Sequence, residues 1–337
     1  MAPIPNPKVL FAAYPAGYPD VKKDFKYDTS ESIDLETAPL NGGFLTKTLY
    51  LSVDPYMRGR MNVGGWALGS LFEGYGISEV LRSETDKVKK GDILYASTKF
   101  QAYQVWPADA KVRILPKTSE IPYSVYMGAA GMPGQTAYFG LKAVGDPKAG
   151  ESIFVSTAAG AVGQLVCQLA KAWGLRVIGS TGSDDKVEFL LNELKIDAAF
   201  NYKTASTAEE LKKFGGIDIY FDNVGGPTLD AALDAMNKFG RIIVCGHISM
   251  YNQKPEERYG IKNTYSMIYK EVKMQGMLVN TYAAQYSDEF YATVPKMIAE
   301  GKIKYSEDVT EGLEHAPDAL VKVLKGENKG KAVVKVA

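Results

Sequence analysis

Two cysteines, two histidines and no net charge deprive this chain of the usual materials of several protein classes. Cys167 and Cys245 are too few for a disulfide framework, and neither belongs to a C-x-x-C redox pair. A zinc dehydrogenase needs three protein ligands at its catalytic metal and a cysteine cluster for a structural one. Cys245 and His247, two positions apart at a strand end, have no third soft ligand nearby, so no metal site is expected. Neither histidine accompanies a G-x-S-x-G elbow, which leaves serine hydrolase chemistry without support. The 39 basic residues cancel the 39 acidic ones, so no global charge draws the chain to nucleic acid or an anionic membrane. No apolar run approaches the roughly 18–20 residues of a membrane span. The N-terminal MAPIPNPKVLF lacks the basic-then-apolar pattern of a signal peptide, and a reducing cytosol is the expected location.

What is present is an ordinary globular composition, 46% apolar and 23% charged over 337 residues, enough for two domains. Up to about residue 125 the chain shows short β-like runs, Lys8–Ala12, Phe44–Ser52, Tyr75–Leu81 and Ala102–Trp106, punctuated by Gly and Pro. From Ser152 onward, buried strands alternate with amphipathic helices. IFVST, RVIGS, AAFNY, IDIYFD, RIIVCG and MQGMLV read as strands, and Val162, Leu165, Val166, Leu169, Ala170 and Trp173 recur at helical spacing between the first two. This alternation predicts a doubly wound parallel sheet. DEFYATVPKMIAEGKI reads as a helix, and the final KAVVKVA as a strand that returns to the first domain.

The loop from Ser156 to Gly163 leaves the first of these strands and opens a helix. Ala159, Gly160, Ala161, Val162 and Gly163 let backbone approach a pyrophosphate at the helix N-terminus, with Ala158 in place of the first glycine of G-x-G-x-x-G. The second strand ends without the carboxylate that holds the ribose of NAD. Instead Thr181-Gly182-Ser183-Asp184-Asp185-Lys186 follows, where Lys186 can neutralise a 2′-phosphate, and Tyr202 can add a hydroxyl after the third strand. NADPH is therefore favoured over NADH. In the alternative reading Ser183 is an N-cap, the two aspartates complement the helix dipole, and Lys186 is merely solvated.

Six stretches in order resemble the zinc-free medium-chain dehydrogenase/reductases, in the branch of alkenal double-bond reductases and leukotriene B4 dehydrogenase/prostaglandin reductases. They are Val53-Asp54-Pro55-Tyr56-Met57-Arg58, Gly131-Met132-Pro133-Gly134-Gln135-Thr136-Ala137-Tyr138, the 158–163 loop, Phe221-Asp222-Asn223-Val224-Gly225-Gly226, Cys245-Gly246-His247-Ile248-Ser249-Met250-Tyr251-Asn252, and Asn328-Lys329-Gly330-Lys331. The resemblance implies an α/β protein. A GroES-like, mostly β catalytic domain would span 1–125 and 300–337, and a Rossmann NADPH-binding domain 126–299, usually in a homodimer. It implies reduction of the C=C bond of an enal or enone, and a cofactor lined by Thr136, Lys186, Tyr202, Asn223 and Asn328, with Leu278 and Val279 near the nicotinamide. Met132, Pro133, Gly182, Cys245 and Gly246, within or beside these motifs, complete the candidate cofactor set. His247 and Gln135 depart from the family, which is more often apolar there.

Hydride addition to the β-carbon of an enone moves charge onto the carbonyl oxygen, so a donor must face that oxygen. Tyr251, after the fifth Rossmann strand, is the candidate, since a phenol stays protonated near neutral pH, and it also counts among the cofactor-lining residues. Tyr56 is a second candidate, as pocket wall or auxiliary donor, although Asp54-Pro55 also reads as a turn that would expose it. Arg58 is open between a cofactor phosphate and an ion pair. Asp222 and Asn223 either end a strand or face the cofactor crevice. A quinone reductase and a catalytically silent NADPH-binding protein remain the alternatives.

Overall fold

A computed structural model describes residues 2–117 and 120–337. The chain divides into two compact units, Met1–Met127 with Glu307–Ala337, and Gly128–Ser306.

The first unit is built on a seven-stranded sheet. In spatial order the strands are Glu307–Glu311, Lys331–Lys335, Phe44–Ser52, Glu73–Ser83, Ile93–Lys99 and Arg113–Leu115, with Tyr103–Trp106 also pairing with Phe44–Ser52. All ladders are antiparallel except that between Glu307–Glu311 and Lys331–Lys335. The KAVVKVA segment thus joins this sheet, with Val333 opposite Ser52. The core gathers Phe11, Phe25, Trp66, Phe72 and Phe100 with the helix Ala316–Leu324. Where a turn was expected at Asp54-Pro55, the chain enters a five-residue helix, Tyr56–Arg60. Gly74 makes room for it: a Cβ there would stand 2.4 Å from the Met57 methyl, which is fully buried.

The second unit holds six strands, all parallel, in the spatial order third, second, first, fourth, fifth, sixth. In chain order these are Ser152–Val155, Arg176–Thr181, Ala198–Asn201, Ile217–Asp222, Met236–Val244 and Lys273–Gly276. The first strand is buried along its whole length, and Phe154 stacks on Tyr220 with ring centroids 4.8 Å apart. The helix Ala161–Ala172 returns over the sheet and buries Leu165, Val166, Leu169 and Ala170, the stripe its spacing implies. The strand order reverses beside the first strand, and ligands of such sheets bind outside the carboxyl ends at that reversal.

Two strands end earlier than their apolar runs. RIIVCG leaves the ladder at Val244 because the Cys245 and Gly246 N–H groups both turn to the carbonyl of Asp222, at 2.9 and 3.0 Å. Cys245 and His247 therefore lie beyond the strand and do not share a strand face. MQGMLV stops at Gly276, since Val279 already opens the 21-residue helix Val279–Ala299.

Candidate active site

The loop after the first strand is shaped by steric exclusion. Thr157 takes a left-handed conformation, φ 53°, rare for a β-branched residue. This folds its carbonyl back under the next helix, so that a Cβ at Gly163 would lie 2.3 Å from that oxygen and 2.7 Å from Ala158 Cα. Gly160 caps the helix without any side-chain hydrogen bond. The first-turn N–H groups of Ala161, Val162 and Gly163 thus stay open to an anion, with the helix dipole behind them. Ala159 is buried, and its carbonyl receives the Gln164 side chain at 3.1 Å.

Loops from the first, fourth and fifth strands are stitched together around Asp222 and Asn223. Asn223 donates from Nδ2 to Ser156 O at 2.8 Å and from its backbone to Ser156 Oγ at 3.0 Å, and accepts Ile248 N at 3.2 Å. The fully buried Asp222 carboxylate accepts Tyr220 Oη, Val224 N and Gly225 N on one oxygen, at 2.7–2.9 Å. Burial holds its pKa above the usual carboxylate value, against these donors.

Tyr251 follows a single 3₁₀ turn, Ile248–Met250. Its hydroxyl accepts the His247 backbone N–H at 3.2 Å, which leaves its own proton for an external acceptor. Gly246 permits this seating, because a Cβ there would stand 3.0 Å from the phenol oxygen. Burial raises the Tyr251 pKa, with the His247 N–H opposing it and the Asp222 charge adding to it. The phenol faces a cleft of about 530 Å³ at the carboxyl ends of the fifth and sixth strands. One side is Val244, Cys245, Gly246, His247 and Tyr251; the other is Gly276, Met277, Leu278, Thr281 and Tyr282. Burial, then the Asp222 charge, pushes the Cys245 thiol up to about 12, so it is no thiolate nucleophile at neutral pH. Gly276, Met277, Thr281 and Tyr282 were not foreseen as lining residues; the end of the sixth strand was the available signal, obscured by reading MQGMLV as strand throughout.

Gly182 and Tyr202 meet at the ends of the second and third strands. A Cβ on Gly182 would meet the Tyr202 hydroxyl at 3.1 Å, and Tyr202 N is anchored to Thr181 O at 3.0 Å. Lys186 lies on the short helix Asp184–Glu188, half-buried. Ser183 occupies the N-cap position but makes no capping bond; its hydroxyl donates instead to the Asp185 carboxylate at 2.5 Å. Met132 and Pro133 open the helix Met132–Gly140, and Thr136 donates back to Met132 O at 2.8 Å.

The family model described as zinc-binding dehydrogenase matches residues 161–299, and that described as the N-terminal domain of oxidoreductase matches 8–114. A 2-alkenal reductase (NADP(+)-dependent) of Nicotiana tabacum is 43% identical over 99% of this chain and 98% of its own. Prostaglandin reductase 1 of Bos taurus is 39% identical over 94% of this chain and 97% of its own. The chain belongs to the medium-chain dehydrogenase/reductases, in the branch of alkenal and prostaglandin reductases. The structure of CurA from Vibrio vulnificus in complex with NADPH superposes with a TM-score of 0.89 at 35% identity, covering 98% of this chain and 99% of that one. Among the described residues of this medium-chain reductase no group of three His, Cys, Asp or Glu is placed to hold a metal ion, so the zinc of the family description has no ligand set there.

Three candidates lie in the first unit of this family member. Tyr56 opens its short helix at 40% exposure; burial of part of the phenol, then the Asp54 carboxylate, holds its pKa well above the ordinary value. Asn328 donates to Gly330 O at 2.6 Å across a tight turn. The buried Arg58 guanidinium donates to Gly17 O at 3.1 Å, Pro15 O at 3.3 Å and Asn62 Oδ1 at 2.8 Å. These bonds tie the 15–17 segment to the Tyr56–Arg60 helix.

Proposed function

We propose that this protein uses NADPH to reduce the C=C bond of α,β-unsaturated aldehydes and ketones. The observation that carries the reading is Tyr251, a protonated phenol held by a backbone N–H and facing an open cleft beyond the fifth and sixth parallel strands. The NADP-dependent alkenal reductase among the relatives and the NADPH complex of CurA support it.

Gly160 and Gly163, with the uncapped helix N-terminus beside them, fit a pyrophosphate. Lys186, with the Tyr202 hydroxyl over Gly182, is our choice for the 2′-phosphate, in a strand end that lacks a carboxylate. Thr136, Asn223, Cys245, Gly246, Leu278, Val279 and Asn328 complete the binding set we assign. When bound, NADPH supplies the hydride for the β-carbon. Tyr251 donates a hydrogen bond to the carbonyl oxygen, where negative charge accumulates in the transition state. Such a donor contributes up to about 2.7–4 kcal/mol, and less where water can substitute. We assign the α-carbon proton to solvent and Tyr56 to the substrate wall, as an auxiliary donor. A cytosolic homodimer acting on a small molecule, with neither nucleic acid nor membrane as partner, completes the proposal.

The test is NADPH oxidation with a panel of enals, enones, quinones and simple ketones, with product identification. Saturated carbonyl products from the enals and enones are expected. Turnover of quinones alone would assign a quinone reductase, and tight NADPH binding without turnover of any compound would assign a silent nucleotide-binding protein.

A further inference from the structure

Two of the sequence motifs, 53–58 and 328–331, meet inside the first unit. The Lys331 ammonium, 3% exposed, donates to Val53 O at 2.6 Å and Ala332 O at 2.7 Å, and stands 3.2 Å from Asp54 Oδ1. These three acceptors use all of its N–H bonds. Asp54, 4% exposed, receives the Ser52 hydroxyl on its other oxygen. The Ala332 carbonyl also accepts Val53 N at 3.3 Å, so the C-terminal strand grips the segment just before Pro55 from two sides. Beside the pair lies the Glu307 carboxyl, with Ser124 donating to it at 3.0 Å and its other oxygen buried without a hydrogen-bond partner.

A buried ion pair is a poor way to glue a strand, since apolar residues of similar volume stabilise equally well or better. What it adds is direction. The helix that follows has five residues and no side-chain cap, too short to hold its own orientation. Its middle is held by the Arg58 guanidinium, and its near end by Lys331 through Val53 and Asp54. Tyr56 is the first helical residue after that anchor.

We propose that Lys331 and Asp54 form a positioning pair for Tyr56: by fixing the Val53-Asp54-Pro55 segment that enters its helix they hold the phenol in its substrate-facing orientation. The inference rests on the reading of Tyr56 as a substrate wall and auxiliary donor. It gives Lys331, which the resemblance left without a role, a part in turnover without contact with any ligand.

The test is a double-mutant cycle of Lys331→Met and Tyr56→Phe, read as enone KM and kcat at saturating NADPH, with NADPH Kd from fluorescence quenching. Each single variant is expected to lower kcat/KM for the enone by about 5- to 10-fold, and the double variant by less than about twofold further, because contacts in one network are not additive. NADPH Kd should stay within about twofold of wild type, Asn328 being fixed by its own turn. Losses that multiply would overturn the proposal, as would a large loss of NADPH affinity with an unchanged enone KM. Asp54→Asn/Lys331→Met, which removes both buried charges, carries the same cycle if Lys331→Met does not fold. Failure of both to fold would make the pair a purely structural element and also overturn the proposal. Absence of enone turnover in the wild-type protein would instead sink the underlying reading, and an ineffective Tyr56→Phe would remove Tyr56 from the pocket.

Discussion

The loops after the first and fifth parallel strands stand near one end of the same sheet and are held in place by opposite means. Around Gly163 the chain is fixed by lack of space, with a backbone oxygen 2.3 Å from where any Cβ would go. Around Tyr251 it is fixed by hydrogen bonds, from Cys245 N and Gly246 N to Asp222 O and from His247 N to the phenol. The first excludes any side chain at Gly163 and so brings backbone close, which suits a pyrophosphate common to many reactions. The second can change one group at a time, which suits chemistry tuned to a substrate.

That contrast can be broken most sharply at Tyr251. Tyr251→Phe removes one hydrogen-bond donor while keeping the ring, and a fall in kcat of about 100-fold is expected, within the range for a lost oxyanion donor. NADPH affinity should hardly move; an unaltered kcat would remove the phenol from the mechanism. Gly163→Ala tests the steric side, with an expected destabilisation of about 1–3 kcal/mol from overpacking, measured by denaturant unfolding. NADPH should bind more weakly in that variant at any substrate concentration, and unchanged stability would mean that the loop yields more easily than its distances imply. Lys186→Ala should weaken NADPH by about 10-fold, as for a lost charge-assisted hydrogen bond, and NADH much less. Equal losses for the two nucleotides would separate Lys186 from the 2′-phosphate. The smallest effect is a flat one. Burial raises the Tyr251 pKa above its ordinary value of 10.0, so the phenol remains protonated across the neutral range and kcat/KM should show no alkaline fall from this group below about pH 10. A descending limb near pH 8 in the wild-type protein that disappeared in Tyr251→Phe would contradict the burial argument.

The parallel sheet was legible in the sequence because a strand buried on both faces leaves a continuous apolar run, and the helix between the first two strands shows its 3.6-residue stripe directly. The glycine loop was legible for the same local reason. Strand ends were not: the fifth stops at Val244 because of a hydrogen bond to Asp222, a residue on another strand. Ser183 shows the limit of a local rule, since the N-cap position was right and the capping bond goes instead to a carboxylate two residues on. Arg58 and Lys331 were beyond reach, because their partners are carbonyls fixed only after the chain has folded, 41 and 278 positions away. His247 was noticed as a departure from the family, and its place in the cleft wall depends on Gly225, which leaves room for the imidazole.

The pairing of Lys331–Lys335 with Phe44–Ser52 also sets an order of events during synthesis. Residues 128–306 leave the ribosome as one uninterrupted unit and can complete their sheet from contacts within that stretch. The earlier-made 1–127 segment must wait for its last strands, which at 5–20 residues per second means roughly 10–40 s in which Tyr50–Ser52, beyond the stretch that Tyr103–Trp106 pairs, lacks its partner. The half of the protein translated first is thus the half that finishes last, and its exposed strand is where a nascent chain is open to mispairing and to chaperones.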